Sequence, residues 1–413
     1  MKNNKITNVV ARRVLDSRGN PTIETELFLP NEISARAIAP SGASSGKKEA
    51  IELRDNTNIY NGLDVSKAIK KINTKIKKEI VGKSCLDQES FDELLISIDG
   101  TINKSKLGGN SLIALSLANL KLSAKLKKTP LFKYLSKNNK QKLIIPRPEI
   151  QIFGGGAHAQ NSLSFQDFLI YFPNSRDINF VFQSVHSILY EIKKILLKKK
   201  KFSGYADEGG FWPNFKKYQN ILEIINEGIY LSKLRINKDV SLSIDFAANQ
   251  FFIKNKYNVD GKLLTDNEYT KELLSINTGY NVTLFEDPYA ETEIDSYKKL
   301  HKLCKNKFVV IGDDLTATNE KVLKSLNVEN LIEGIVIKPN QCGTITETIK
   351  ALNYSREKKL MTILSARSGD TEESFLSHLA VGWQTDMIKV GSLSRSERTA
   401  KWNELLRINE KIK

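Results

Sequence analysis

Cysteine is scarce in this chain. Cys85, Cys304 and Cys342 are the only three in 413 residues, and they stand far apart. That spacing excludes a disulfide framework and a CxxC metal site. No apolar run approaches the roughly 20 residues needed to span a bilayer. The opening stretch MKNNKITNVVARRVLDSRGN carries no apolar signal segment. A cytoplasmic protein with no membrane partner is the expectation. Acidic residues are also outnumbered, 47 against 63 basic, for a net charge of +16. An excess of this size can mark a nucleic-acid binder. Here the lysines lie along helical stretches such as SKAIKKINTKIKKEI (66–80) and EIKKILLKKKKF (191–202). Apolar residues recur there at helical spacing, with lysines on the remaining faces. Solvated helix faces are therefore expected, and nucleic acid is not an expected partner. A basic surface also concentrates an anionic substrate. The Walker A order is missing too: PSGASSGKKEA (40–50) lacks G-x-x-x-x-G-K-[ST].

The chain is 40% hydrophobic and 27% charged, which suits a globular protein with a large core. Its length fits roughly two or three domains. Residues 1–140 read as strands followed by helices. TIETELFL (22–29) and ISARAIA (33–39) flank a Pro-Asn turn and predict a hairpin. Helical patterns follow near 64–80, 87–97 and 110–127. From residue 141 the rhythm changes. Short apolar runs alternate with amphipathic helices: VSLSID (240–245), VTLFED (282–287), FVVIGDD (308–314), GIVIKPN (334–340), MTILSAR (361–367) and MIKVG (387–391). This α/β alternation predicts a parallel sheet, and about 270 residues suit a (β/α)₈ barrel behind an N-terminal α+β capping domain. LIIPRP (143–148) marks the boundary region.

Each apolar run ends in charge. Asp245, then Glu286 and Asp287, then Asp313 and Asp314 close three strands; Lys338, Arg367 and Lys389 fall at the ends of the others. In a βα barrel these ends share the face where active sites form. A single acid there is an ordinary helix N-cap, but acids on three successive strands followed by bases on three more point to one centre. Asp245, Glu286 and Asp313 offer hard oxygen ligands without thiol or imidazole, which favours Mg²⁺. Lys338, near that cation and near Lys389, is expected to have a lowered pKa and to act as a general base. Arg367 with Ser368, and Lys389, suit an anion such as phosphate or carboxylate. The implied chemistry is proton abstraction α to a carboxylate. GYADEGGFWPN (204–214) places Glu208 beside two glycines as a candidate acid. FGGGAHAQN (153–161) places His158 in a glycine-rich loop suited to substrate contact. Ser44 and Ser45 sit in a stretch suited to a lid.

The ordered stretches DSRGNPTIETEL, PSGASSGKKEAIELRD, GGGAHAQN, FQDFLIYFP, DEGGFWPN, FEDPY, GDDLTATN, KPNQCGTITETI, ARSGDTEESF and IKVGSLSRSERTAKWNELLRI resemble enolase nearly end to end. The resemblance implies phosphopyruvate hydratase activity: a lyase of glycolysis that forms phosphoenolpyruvate reversibly from 2-phosphoglycerate. It implies two Mg²⁺ per site, the second substrate-dependent, and a homodimer. Asp245, Glu286 and Asp313 would hold the first metal and Ser44 the second. Lys338 would take the C2 proton, and Glu208 would assist loss of the C3 hydroxyl. Lys389 would face the substrate carboxylate, Arg367 and Ser368 the phosphate, and His158 and Gln166 the substrate.

Four positions depart from the family pattern. Ala366 replaces a histidine, Asp167 a glutamate, Gly154 an asparagine and Ala206 a glycine. Asp167 is one methylene shorter, so reduced reach toward Glu208 is expected. A paralogue running the same chemistry on another three-carbon acid, similar to carboxyphosphonoenolpyruvate synthase, is the alternative reading. A non-catalytic basic binding protein is the third.

Overall fold

The computed structural model describes residues 4–42, 46–136, 142–305 and 307–412. The chain begins with an antiparallel sheet of β1 (Asn8–Leu15), β2 (Pro21–Phe28) and β3 (Ser34–Ile38). The predicted hairpin is β2–β3, with Glu24 opposite Ile38. β1 adds a strand that the sequence reading left out. Arg12 on β1 pairs with Glu24 and Glu26 on β2 at 2.5 and 2.8 Å. Opposite charges across a ladder support the register. The helix Gly109–Leu126 is buried on almost every side, as expected of a helix enclosed between layers. One side covers β2 and β3. Another reaches the barrel, where Ser116 Oγ accepts from the Ile345 amide at 3.0 Å and Lys121 pairs with Glu373 at 2.8 Å.

Eight strands close a barrel: β4 (Arg147–Gly154), β5 (Asp167–Tyr171) and β6 (Ser241–Asp245), then β10 (Val282–Glu286), β11 (Val309–Gly312), β12 (Gly334–Ile337), β13 (Met361–Ser365) and β14 (Met387–Gly391). Between β6 and β10 lies a small antiparallel sheet of β7 (Phe252–Ile253), β8 (Lys256–Val259) and β9 (Lys262–Leu264). The barrel is not wholly parallel, as the strand–helix alternation had implied. β5 runs antiparallel to both β4 and β6. A parallel return needs a crossover, usually a helix. Between β4 and β5 there is only a 3₁₀ turn, Gly156–Ala159, so the chain comes straight back. Two helices, Ile178–Lys198 and Tyr218–Leu231, then follow in succession before β6.

Strand alternation sorts the barrel interior by height. Leu284, Ile311, Val336, Ile363 and Met387 pack together as an apolar floor. Two residues further along three of those strands stand Glu286, Lys338 and Lys389. The same period that fills the floor therefore lifts charge to the opposite mouth. No described helix is long and apolar enough to cross a membrane.

Candidate active site

Lys389 stands at the centre of the charged mouth. Its Nζ donates to Asp245 Oδ2 at 2.9 Å and to Glu286 Oε2 at 2.7 Å. All three residues are buried. Gln166 donates to the same Asp245 oxygen at 3.0 Å. Across the barrel, Lys338 Nζ donates to Asp313 Oδ2, whose other oxygen accepts from Gln341 at 2.9 Å. The adjacent carboxylate Asp314 turns away to Asn249, at 2.9 Å. Asp287 accepts from the Asp313 and Asp314 amides at 2.9 and 2.6 Å, which fixes that turn. Burial, and then Asp313 beside it, push Asp314 up to about 7.

These pairs decide the protonation states. Burial is the largest influence on the Lys338 ammonium and works to lower it, but Asp313 and Glu286 together turn the net shift upward. That corrects the expectation of a lowered lysine: the carboxylate touching it stabilises its charge. Lys389 is raised further, against its own burial, by Asp245 and Glu286. Burial, with Asp245 adding to it, pushes Glu286 well up. Burial also acts to raise Asp245, yet Lys389 and Lys338 hold it below the ordinary range.

A second cluster lies on the β4–β5 side. His158 Nδ1 meets Asp167 Oδ1 at 2.8 Å, and His158 Nε2 stands 3.9 Å from Glu208 Oε1. Asp167 thus meets the imidazole that stands between it and Glu208. Burial opposes charge on His158, but Asp167 and Glu208 raise it. Burial acts to raise Glu208, and His158 and Arg398 bring it down to a net lowering. Burial raises Asp167 as well, against the pull of His158, so within this trio Glu208 is the group held toward its charged form.

Arg367 lines the same mouth, at the strand end where the sequence predicts it, and is paired there. Its guanidinium meets Glu49 at 2.9 and 3.3 Å and Asn340 at 3.1 Å. Glu49 comes from the PSGASSGKKEA stretch, so this ion pair ties the N-terminal segment to the barrel mouth. The Ser368 carbonyl accepts from Arg398 at 2.5 Å. Ser44 lies outside the described residues.

All these charges converge on an enclosed cavity of about 30 Å³, whose lining includes Glu208, Asp245, Asp313, Lys338, Ala366 and Arg367. That is about one water's share of liquid volume. The ion pairs border this space. Among the described residues, Asp245, Glu286 and Asp313 do not draw within 4.8 Å of one another; the tight groups are His158–Asp167–Glu208 and Asp287–Asp313–Asp314.

Sequence reasoning missed Gln151, Glu149 and Glu49. Gln151 and Glu149 lie on β4, and the alternation in EIQIF was the available signal. Gln151 donates to Asp167 at 2.5 Å and accepts from the Gly210 amide at 2.8 Å. Glu149 is fully buried, opposite Lys389 in register. For Glu49, only its partner across the fold marks it out.

Two family models divide the chain. Residues 6–135 match the enolase N-terminal domain, and residues 142–413 match the enolase C-terminal TIM barrel domain. The chain belongs to the enolase family. Among its curated relatives, the enolase of Ehrlichia canis (strain Jake) is 41% identical over 413 residues, covering 100% of this chain and 98% of the relative. The enolase of Ehrlichia ruminantium (strain Welgevonden) is 42% identical over 411 residues, covering 99% and 97%. That of Pelagibacter ubique (strain HTCC1062) is 40% identical over 411 residues, again covering 99% and 97%. As a member of the enolase family, the chain is an enzyme of the hydro-lyase type with use of a divalent metal. The phosphonate paralogue and the binding protein gain no support.

Proposed function

We propose that this chain is a phosphopyruvate hydratase that interconverts 2-phosphoglycerate and phosphoenolpyruvate, working in the cytoplasm as a homodimer. The observation that carries the reading is the pairing of strand-end acids Asp245, Glu286 and Asp313 with two lysines, the half-buried Lys338 and the buried Lys389. The donor set fits Mg²⁺. It is all carboxylate, and Glu286 Oε1 is buried without a hydrogen-bond partner, an oxygen available to a hard cation. Asp245, Glu286 and Asp313 would hold the first ion, and Ser44 is the proposed ligand of a second, substrate-dependent one. Bound there, the cation supplies Lewis-acid stabilisation of the carboxylate-derived dianion.

The remaining roles belong to the chain. With Asp313 engaged elsewhere, Lys338 loses the counter-charge that raises it, and its amine accepts the C2 proton. Lys389 meets the substrate carboxylate. Glu208 faces the C3 hydroxyl and delivers a proton drawn from His158, with Asp167 holding that imidazole in place. Gln166 holds Asp245 and borders the substrate. Arg367 and Ser368 take the phosphate once Glu49 releases the guanidinium. Residues 1–140 form the capping domain and 141–413 the barrel.

The test is phosphoenolpyruvate formation from 2-phosphoglycerate, followed by ultraviolet absorbance with Mg²⁺ and then with chelator. Chelator-sensitive turnover, with kcat on the order of 10–100 s⁻¹, supports the reading. Metal binding and α-proton exchange without turnover would assign the site to another leaving group.

A further inference from the structure

Two roomy hollows lie at the opposite mouth of the barrel. Arg147, Val309, Met361 and Met387 are the first residues of β4, β11, β13 and β14, and Tyr171 is the last of the reversed β5. All five therefore meet at one end, beneath the apolar floor and away from the strand-end acids. A cavity of about 540 Å³ opens among them. A second, of about 720 Å³, shares Tyr171, Val309 and Glu333 with it. Both fall within the usual range for small-molecule sites, roughly 300–1,000 Å³.

The lining is strongly one-signed. Arg147, Arg356, Lys359, Lys302, Lys305 and Lys307 face only Glu333 and Asp386. Both acids are engaged elsewhere. Glu333 meets His301 at 2.7 Å and accepts from the Val310 amide at 2.8 Å. Asp386 accepts from the Thr362 amide and hydroxyl, each at 2.9 Å. Among the described residues, none of the six cations has a carboxylate within 4 Å, although neighbouring Lys358 and His301 do. Arg147 Nε is buried with no hydrogen-bond partner. Burial lowers Arg176 beside it, and repulsion from Arg147 lowers it further. Below these cations, Val309, Met361, Met387 and Tyr171 present an apolar surface continuous with the barrel floor.

We propose that the N-terminal mouth of the barrel is a second ligand site, for a small organic anion that sets its charged group against Arg147 and Lys359 and its apolar body over Val309, Met361 and Met387. Uncompensated arginine and lysine donors supply the charge-assisted bonds, and the apolar floor supplies burial. The site is separate from the catalytic mouth and needs none of its residues.

The probe is 8-anilinonaphthalene-1-sulfonate, an aromatic body carrying one sulfonate, titrated by fluorescence into the full chain. Mg²⁺ and saturating 2-phosphoglycerate are present, so the catalytic site is taken. Saturable binding of one probe per chain is expected. The double variant Arg147→Gln, Lys359→Gln should weaken it by about tenfold or more, a change of about 1.4 kcal/mol, and leave turnover as it was. Among the described residues neither side chain has a hydrogen bond or ion pair to another, so the variant should remain folded, and its turnover checks this. N-phenyl-1-naphthylamine, the uncharged analogue, should bind at least about tenfold more weakly. The proposal is overturned by absent saturable binding, by unchanged affinity in the double variant, or by equal binding of the neutral analogue.

Discussion

Gly154 and Ala206 share the space of a single methyl group. A Cβ built on Gly154 would lie 2.6 Å from the Ala206 Cβ, well inside contact distance. The family pattern has a side chain at the first position and glycine at the second. Here the side chain has changed sides. The two departures are thus one exchange, made where β4 meets the turn that carries Glu208. Gly154→Ala alone should overpack the contact and cost about 1–3 kcal/mol. Gly154→Ala with Ala206→Gly should regain most of that loss. Denaturant unfolding of both single variants and the double gives the coupling energy. Additive losses would show that the two residues do not compensate.

Gln151 extends this argument to position. Its amide joins the Asp167 carboxylate to the backbone of Gly210, two residues beyond Glu208. It touches neither Glu208 nor the cavity, so it acts as a positioning residue. Gln151→Leu keeps the volume and removes both bonds. kcat for 2-phosphoglycerate should fall by about 10–100-fold, in keeping with small misplacements of reacting groups, with KM changed little. Exchange of the α-proton, on the other side of the site, should persist. Equal loss of exchange and turnover would mean that the variant damages the whole mouth.

The imidazole of His158 carries the pH dependence. Burial acts to lower it, while Asp167, Glu208 and Asp245 raise it above its ordinary value of about 6.5. A raised histidine keeps its proton past its ordinary value and loses it as pH climbs through the folded value. Its stabilising contribution is accordingly full below about 6.5 and disappears on the alkaline side. The carboxylate nearest to it is Asp167. Asp167→Asn should therefore shift the alkaline limb of kcat to lower pH, and NMR titration of the His158 ring should move the same way. An alkaline limb that stays in place while the ring titration shifts would separate His158 from proton delivery.

Much of this was legible in the chain. Each of the six apolar runs from residue 240 onward became a barrel strand, because a buried parallel strand needs a continuous apolar stretch and a turn beyond it. Their terminal charges converged because strand ends share one face. β4 and β5 were hidden for the opposite reason. β4 alternates polar residues into the interior, as Glu149 and Gln151, so it lacks a continuous apolar run, and β5 follows it without an intervening helix. The pairing of Arg367 with Glu49 spans 318 residues, and no local pattern encodes it. The direction of the Lys338 shift was also beyond the sequence. It depends on whether Asp313 or Lys389 lies nearer, which is a matter of side-chain placement.

Lys338 and Lys389 sit at equivalent heights on β12 and β14, yet their partners assign them different work. Lys389 bridges two acids and is held by both. Among the described residues Lys338 pairs with Asp313 alone, one of the three proposed metal ligands. A cation held by Asp245, Glu286 and Asp313 would compete with both lysines for these oxygens, and Lys338, with one contact against two, would be the more readily freed. Lys338→Ala should therefore cut α-proton exchange by about 10²–10⁴-fold, the range for a lost general base. Mg²⁺ affinity should hold or tighten, since the variant removes a competing cation. Lys389→Ala should instead raise KM and leave Glu286 and Asp245 repelling each other. Exchange of the substrate proton with deuterated solvent, measured beside Mg²⁺ titration, separates the two lysines. Exchange that survives in Lys338→Ala would take the base away from Lys338, and exchange lost only in Lys389→Ala would give it to Lys389.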